Sequence, residues 1–164
     1  MKKIKIAIQG ELGAYSHIAA NNLYKDAEIK NCTTFEETFK KAYEDDTYKI
    51  IIPLENSLAG RVADIHYLLP KYKLQIHGEY FLNVEHNLLS KPEATIDDIK
   101  FVRSHAQAIG QCQNIINKKK FKTIISADTA GSAKDLAEGN DKTMAAIASK
   151  LSAKIYKLKI LEKN

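Results

Sequence analysis

Three consecutive isoleucines at residues 50–52 constrain the fold of this 164-residue chain more than any other feature. Such a run of β-branched residues predicts a strand that is covered on both faces, as in a parallel sheet. The strand should end at Pro53, because proline cannot donate to a sheet ladder. The polar turn 55–57 and a helix with one apolar side follow it. Ligands of open α/β sheets bind beyond the carboxyl ends of the strands, where helix N-termini favour anions, so we expect an active site at this turn.

The same order of strand, turn and helix recurs on both sides of this stretch. Alternating isoleucines predict a first strand that ends at Gln9-Gly10, and a second strand at Glu28–Cys32 precedes a capping box at residues 34–37. The pattern resumes after residue 98, with three strands that are each followed by a helix, at 99–102, 121–125 and 143–147. The alternation predicts an α/β protein built largely on parallel strands.

A long segment, residues 74–88, separates the two series of elements. Its apolar residues occupy alternate positions over a length well beyond the usual strand of about 5–6 residues. We interpret it as an extended segment that passes from a first lobe to a second, with a hinge at residues 77–79 where Gly78 absorbs the bend. The end of the chain, residues 157–161, is expected to return to the first lobe. The predicted division is therefore 1–77 plus 157–164 for lobe 1 and 78–156 for lobe 2.

The charge and the cysteines argue against several classes of protein. The net charge of +5 is spread along the chain, and its only dense run, residues 118–120, falls at a predicted helix end, so we expect no nucleic-acid partner. Cys32 and Cys112 lie far apart, which argues against a zinc site or a disulfide framework and fits a reducing cytoplasm. The chain has no apolar run of about 18 residues and no signal-peptide pattern, so we expect a cytoplasmic protein without a membrane partner.

Polar residues concentrate in four of the predicted strand-to-helix turns, at residues 9–16, 55–57, 104–107 and 128–129. Hydroxyls, amides and helix N-termini predominate there, which suits a carboxylate held by neutral donors. The histidines lack the spacing of metal ligands, so no metal is expected. Ser57 and Thr129 are each open to two interpretations, as ligand contacts or as helix N-caps, and Ser57 lacks the surroundings of a nucleophilic serine. The spacing alone indicates a two-lobed α/β binder of a small anion.

Six short motifs, in this order along the chain, resemble the catalytic domain of prephenate dehydratase. Four of them lie in the polar turns: Gln9-Gly10-Glu11-Leu12-Gly13-Ala14-Tyr15-Ser16-His17, Pro53-Leu54-Glu55-Asn56-Ser57, Ser104-His105-Ala106-Gln107-Ala108 and Asp128-Thr129-Ala130. The other two are Gly78-Glu79 with His86-Asn87-Leu88, and Ala145-Ala146-Ile147-Ala148-Ser149. Ala106 and Asp128 replace the family's usual proline and serine. The chain stops before the family's Thr-Arg-Phe motif, whose threonine is regarded as essential, so we expect a fragment of the enzyme.

The resemblance implies a fold, a reaction and a set of site residues. The fold is a two-lobed α/β architecture like that of type II periplasmic binding proteins, with a substrate cleft between the lobes. The reaction is the decarboxylating dehydration of prephenate to phenylpyruvate in phenylalanine biosynthesis, without a cofactor and in a homodimer. The implied catalytic residues are Asn56, Ser57 and Thr129. The implied substrate contacts are Glu11, Ser16, Glu55, Ser104, His105, Gln107 and Ala130.

The two carboxylates of prephenate suggest how these residues divide the work. We hypothesise that Asn56 and Ser57, with the helix N-terminus that follows them, hold one carboxylate. Ser104, Gln107 and Thr129 would hold the other end of the molecule or orient the leaving hydroxyl. The alternative function is a non-catalytic two-lobed module that binds small carboxylates, like a periplasmic solute receptor. A nucleic-acid binder ranks third and requires tight, salt-dependent binding to DNA.

Overall fold

The computed structural model describes residues 3–58 and 60–163 of the chain. The chain divides into two units, the first made of Met1–Gly10 and Tyr15–Leu82 and the second of Glu11–Ala14 and Asn83–Asn164. Both units combine strands with helices, which confirms the predicted α/β class. The division after Leu82 differs from the expected one after residue 77. In addition, the short loop Glu11–Ala14 belongs to the second unit, although the strand before it and the helix after it belong to the first.

A three-stranded parallel sheet forms the centre of the first unit. The elements of this unit are β1 (Lys5–Gln9), α1 (Tyr15–Leu23), β2 (Glu28–Cys32), α2 (Phe35–Glu44), β3 (Tyr48–Ile51), β4 (Glu55–Asn56), β5 (Gly60–Arg61) and α3 (Ala63–Tyr72). The order in the sheet is β2-β1-β3. Strand β1 is central, and its Ile6, Ala7 and Ile8 are fully buried. The capping box at the start of α2 is confirmed, because the Thr34 hydroxyl accepts a hydrogen bond from the backbone N–H of Glu37.

The isoleucine strand β3 is covered by apolar groups on both faces, as predicted, but less completely. Ile51 packs with the cluster of Ile6, Ile8 and Ala20 on one face, whereas Ile50 and Ile52 pack with the cluster of Phe39, Ile65 and Leu68 on the other. All three isoleucines remain only half-buried. The reason is position, since β3 pairs with β1 alone among the described strands, while β1 has a partner on each side.

The second unit is built on a five-stranded mixed sheet. Its elements are β6 (Asn87–Ser90), β7 (Phe101–Ser104), α4 (Ala106–Gln111), α5 (Gln113–Lys119), β8 (Lys122–Ile125), α6 (Thr129–Glu138), β9 (Met144–Ala148), α7 (Lys150–Ile155) and β10 (Lys159–Lys163). The order is β10-β6-β9-β7-β8, with β7 parallel to both β8 and β9. The single helix expected after β7 is two helices that meet at Cys112.

The end of the chain does not return to the first lobe, contrary to our expectation for residues 157–164. Strand β10 instead pairs antiparallel with β6, with Lys159 opposite Ser90 and Lys163 opposite Asn87. Its apolar residues account for this position: Ile160 packs with the cluster that contains Leu89, and Leu161 packs with a second cluster of the same unit. Apolar contacts on both faces thus stabilise β10 at the edge of the second unit's sheet, next to β6.

Residues 74–86 contain no strand, although their apolar alternation predicts extended backbone. Regular structure begins only at β6, and the side chains of Ile76 and Phe81 are 68% and 86% exposed. The segment does connect the two units, as expected, because the division falls after Leu82. No helix in residues 3–58 or 60–163 combines the length and the apolar character that a membrane-spanning helix needs.

Candidate functional site

The loop Glu11–Ala14 is the most firmly fixed of the four polar turns. The Ala14 N–H donates to the Glu11 carbonyl over 3.1 Å, which closes the loop into a tight turn. The carbonyl oxygen of Gly13 accepts hydrogen bonds from the hydroxyls of Ser149 and Ser152, at 2.6 and 3.1 Å. Both serines are buried, so these bonds are shielded from water. Gly13 has a φ of +99°, and a Cβ at this position would lie 2.4 Å from the Ser152 Oγ, which explains why only glycine fits.

Two further side chains of the second unit hold the same loop. The Tyr156 hydroxyl donates to the Leu12 carbonyl over 2.9 Å, and the Lys134 ammonium group pairs with Glu11 at 3.1 Å. Burial and, secondarily, the nearby carboxylates of Glu11, Asp128 and Glu138 raise the pKa of Tyr156 to about 12. The hydrogen bond to Glu11 raises the pKa of Lys134. Glu11 therefore lies in the second unit as an ion-paired carboxylate.

Asn56 and Ser57 lie in a β-hairpin rather than at a helix N-terminus. Glu55 and Asn56 form β4, which pairs antiparallel with β5, with Glu55 opposite Arg61 and Asn56 opposite Gly60. The Asn56 Oδ1 accepts a hydrogen bond from the backbone N–H of Leu58 at 2.9 Å, an Asx turn of the kind that starts many loops. Glu55 and Ser57 are exposed.

The hairpin overturns two expectations about Ser57. Helix α3 begins only at Ala63, and its N-cap residue is Val62, which makes no side-chain capping bond. Ser57 is therefore not the N-cap of this helix, and the helix N-terminus does not stand directly behind Asn56 and Ser57. Asn56 ends β4, and strand β5 (Gly60–Arg61) intervenes before the helix.

The turn after β7 contains one buried and two accessible candidates. Ser104 has no exposed surface, and its hydroxyl donates to the Ile147 carbonyl over 2.7 Å, which joins β7 to β9. This burial contradicts our expectation that the Ser104 hydroxyl contacts a substrate. His105 is the N-cap of α4, where its Nδ1 accepts from the Gln107 N–H at 3.3 Å. Gln107 is exposed and His105 is half-buried.

Asp128, not Thr129, is the N-cap of α6. Its Oδ1 accepts from the Gly131 N–H at 2.6 Å, so Thr129 is the first residue of the helix and has no capping role. Among residues 3–58 and 60–163, no group forms a hydrogen bond with the half-buried Thr129 hydroxyl. Ala130 is fully buried, its backbone included. The N-cap interpretation of Thr129 is wrong, and its ligand contact stays a prediction.

Two ion pairs fix α6 in the second unit. Lys134 pairs with Glu11, and the next residue, Asp135, pairs with the Arg103 Nη1 on β7 at 3.0 Å. The buried Arg103 Nε has no hydrogen-bond partner in the described part of the chain. These contacts hold the helix that begins with Thr129 against both the loop Glu11–Ala14 and the central sheet.

The candidate residues fall into two groups according to unit. The second unit contains Glu11, Ser104, His105, Gln107, Thr129 and Ala130. The first unit contains Ser16 near the start of α1, together with Glu55, Asn56 and Ser57. No group of three or more His, Cys, Asp or Glu side chains suited to hold a metal ion occurs in the described residues.

Lys134, Ser149, Ser152 and Tyr156 were not among the predicted site residues. Ser149 ends one of the motifs that carry the family resemblance, and this signal could have identified it. Lys134 and Ser152 lie at ordinary helical positions and Tyr156 is the C-cap of α7, so nothing in the local pattern distinguishes them. The side chains of His86 and Gln111 form another polar pair, with Nε2 and Oε1 2.8 Å apart. Burial lowers the pKa of His86.

Comparison with known proteins gives a consistent family signal. The sequence model of the prephenate dehydratase family matches residues 6–164. The chain is 38% identical over 162 residues to arogenate dehydratase/prephenate dehydratase 2, chloroplastic, of Arabidopsis thaliana, which covers 99% of this chain and 42% of that protein. It is 38% identical over 159 residues to the bifunctional N-acyl-homoserine lactone acylase/prephenate dehydratase of Komagataeibacter europaeus, which covers 97% of this chain and 57% of that protein.

The solved structure of GqqA, described as a novel type of quorum quenching acylase, is similar with a TM-score of 0.91 and 38% identity. That similarity covers 98% of this chain and 59% of the GqqA chain. The chain thus spans about half the length of the curated relatives that it matches.

Proposed function

Because the chain belongs to the prephenate dehydratase family, we propose that its protein converts prephenate to phenylpyruvate, a step towards phenylalanine. The observation that carries this proposal is the family match over residues 6–164, which takes in all four polar turns. The proposal includes a cytoplasmic homodimer that needs no cofactor. Light scattering tests the dimer, and activity that survives dialysis against a chelator supports the absence of a metal cofactor.

The proposed chemistry depends on positioning. Loss of carbon dioxide moves an electron pair into the ring, the protonated 4-hydroxyl leaves as water, and the product gains aromaticity. The protein must hold two carboxylates, supply a proton to the departing hydroxyl and exclude competing water. Neutral hydrogen-bond donors suit the two carboxylates, because the charge on the acceptor makes each such bond strong.

In the first unit, we propose that Asn56 and Ser57 donate to one carboxylate. The Asx turn supports this role, because the bond from the Leu58 N–H to Oδ1 fixes the side-chain amide of Asn56. The exposed Ser57 hydroxyl lies next to it in the chain. Ser16 and Glu55 complete the proposed contacts of this unit.

In the second unit, the proposal relies on Thr129, His105 and Gln107. Asp128 takes over the capping of α6, so the Thr129 hydroxyl is available to orient the leaving hydroxyl. Because His105 Nδ1 accepts a hydrogen bond, the neutral imidazole carries its proton on Nε2, where it can serve as a donor. Glu11 is a secondary contact, and the fully buried Ser104 and Ala130 are left out.

The test is phenylpyruvate release from prephenate, measured for this chain and for a chain extended past Asn164. We expect turnover by the extended chain. Thr129→Val should lower kcat/KM by about 100-fold, as loss of a group that orients the transition state does. Thr123→Val in the exposed part of β8 is the matched control and should change kcat/KM less than about twofold. An inert extended chain would overturn the proposal.

A second candidate function is cleavage of N-acyl-homoserine lactones. It is favoured by the 38% identity to the Komagataeibacter europaeus protein, whose name includes this acylase activity. The same preparations can be assayed for release of homoserine lactone. Calorimetry with prephenate tests the non-catalytic binding module. Binding of prephenate without turnover in either assay would identify the module rather than one of the two enzymes.

A further inference from the structure

Three hydroxyl groups of the second unit hold two consecutive carbonyls of the loop Glu11–Ala14. Ser149 and Ser152 bond the Gly13 carbonyl, and Tyr156 bonds the Leu12 carbonyl. A buried hydroxyl costs free energy unless it is hydrogen-bonded, and an apolar side chain could fill the same space without that requirement. Apolar side chains could therefore bury the same surface, but only the hydroxyls hold the two carbonyls of the loop in one position.

The two serines also support each other. The Ser149 Oγ caps α7 by accepting from the Ser152 N–H at 3.0 Å, and it lies 3.1 Å from the Ser152 Oγ. Both side chains have at most 1% of their surface exposed. Because the cap sets the orientation of Ser149 and the pair shares one acceptor, the Gly13 carbonyl has little freedom to move.

We propose that Ser149 and Ser152 are positioning residues of the substrate site, a role that rests on the proposed dehydratase function. They act through the Gly13 carbonyl on Glu11, two residues earlier in the same loop. Glu11 is held against Lys134 on the helix that begins with Thr129. Loss of the two hydroxyls should release this substrate contact.

The experiment compares the extended chain with its Ser149→Ala/Ser152→Ala variant and with Ser90→Ala. Ser90 is the matched control, because it is equally buried in the same unit and bonds a neighbouring carbonyl at 3.0 Å, yet no bond links it to the loop. Steady-state kinetics and hydrogen exchange of the loop amides are measured for all three, at the same interval below each melting temperature. Measuring each protein at the same interval below its melting temperature keeps differences in global stability from affecting the comparison.

We expect the double variant to raise KM by about tenfold and leave kcat within about threefold, because it weakens contacts made equally in ground and transition states. Exchange of the loop amides should accelerate about tenfold, through local opening, while Ser90→Ala stays close to the parent in both measurements. A double variant that matches Ser90→Ala would overturn the positioning role and leave the dehydratase proposal standing. An extended parent without turnover would overturn the dehydratase proposal and this inference with it.

Discussion

Two of the turns that carry the family resemblance, the loop Glu11–Ala14 and the hairpin of β4 and β5, are held in opposite ways. Two buried serine hydroxyls, the half-buried Tyr156 hydroxyl and the ion pair with Lys134 fix the loop in the second unit. The hairpin is fixed by its own backbone pairing and by the Asx turn of Asn56, and it is largely exposed. Substitutions in the loop should therefore lower the stability of the second unit, whereas substitutions in the hairpin should have a smaller effect on stability.

Glycine substitutions test this difference with the largest expected effect. Gly13→Ala places a Cβ 2.4 Å from the Ser152 Oγ at a φ of +99°, so we expect a loss of stability of about 3 kcal/mol or more. Gly60→Ala in the hairpin has a φ of +79° but no atom within 4 Å of the new Cβ, so the backbone term alone, about 1–2 kcal/mol, should apply. Chemical denaturation measures both.

A double variant tests whether the Ser152 side chain alone is responsible for the steric contact at position 13. Gly13→Ala combined with Ser152→Gly should not be rescued, because the Ser152 Cα still lies 2.8 Å from the added Cβ. Equal losses for Gly13→Ala and Gly60→Ala would contradict the contrast between the two turns.

The sequence predicted the order of most of the elements, but it did not predict the hairpin or the partner of the last strand. Helices and strands of ordinary length leave a periodic signal, as in α2 and β1. The two-residue strands 55–56 and 60–61 are too short to leave one, so the sequence pattern predicts that the polar turn leads directly to the helix. The end of the chain was expected to return to the first lobe, but the local pattern of β10 contains no information about which unit supplies its neighbouring strand.

The Tyr156 hydroxyl, which bonds the loop, should make the stability of the protein depend on pH. Its folded-state pKa of about 12 exceeds the ordinary value of roughly 10, so its contribution to stability is fully present below pH 10 and is lost as the pH rises towards 12. Tyr156→Phe, which removes the bond to Leu12, should cost about 1 kcal/mol near pH 8. The difference between the two proteins should shrink above pH 10. Denaturation across pH 8–12 measures it, and a constant difference would contradict the role of the hydroxyl.

The helices that follow two predicted catalytic turns differ in their caps. Helix α6 has the side-chain cap of Asp128, while α3 begins after Val62 without one. Asp128→Ala should destabilise the protein by about 1 kcal/mol, and Asp128→Asn, which keeps the acceptor oxygen, should be nearly neutral. Thermal unfolding provides the measurement, and an Asn variant as unstable as the Ala variant would show that charge, rather than capping, dominates at this position.

The sequence could not show which of the candidate hydroxyl residues are buried in the fold. Ser104 and Thr129 are both hydroxyl residues near strand ends in similar motifs, and nothing in the local pattern separates them. In the fold, Ser104 lies inside a sheet whose next strand supplies the Ile147 carbonyl, whereas Thr129 follows a cap that Asp128 already provides. Such assignments depend on strand neighbours distant in sequence, such as residues 104 and 147.

The most direct test of the account is the turnover of prephenate by Asn56→Ala in the extended chain. Its side chain belongs to the largely exposed hairpin, so we expect a cost in stability below about 1 kcal/mol and a fall in melting temperature of at most a few degrees. We expect kcat/KM for phenylpyruvate release to fall by about 100-fold, because the proposed carboxylate donor is lost. Normal turnover by a folded Asn56→Ala protein would contradict the placement of the active site at this hairpin.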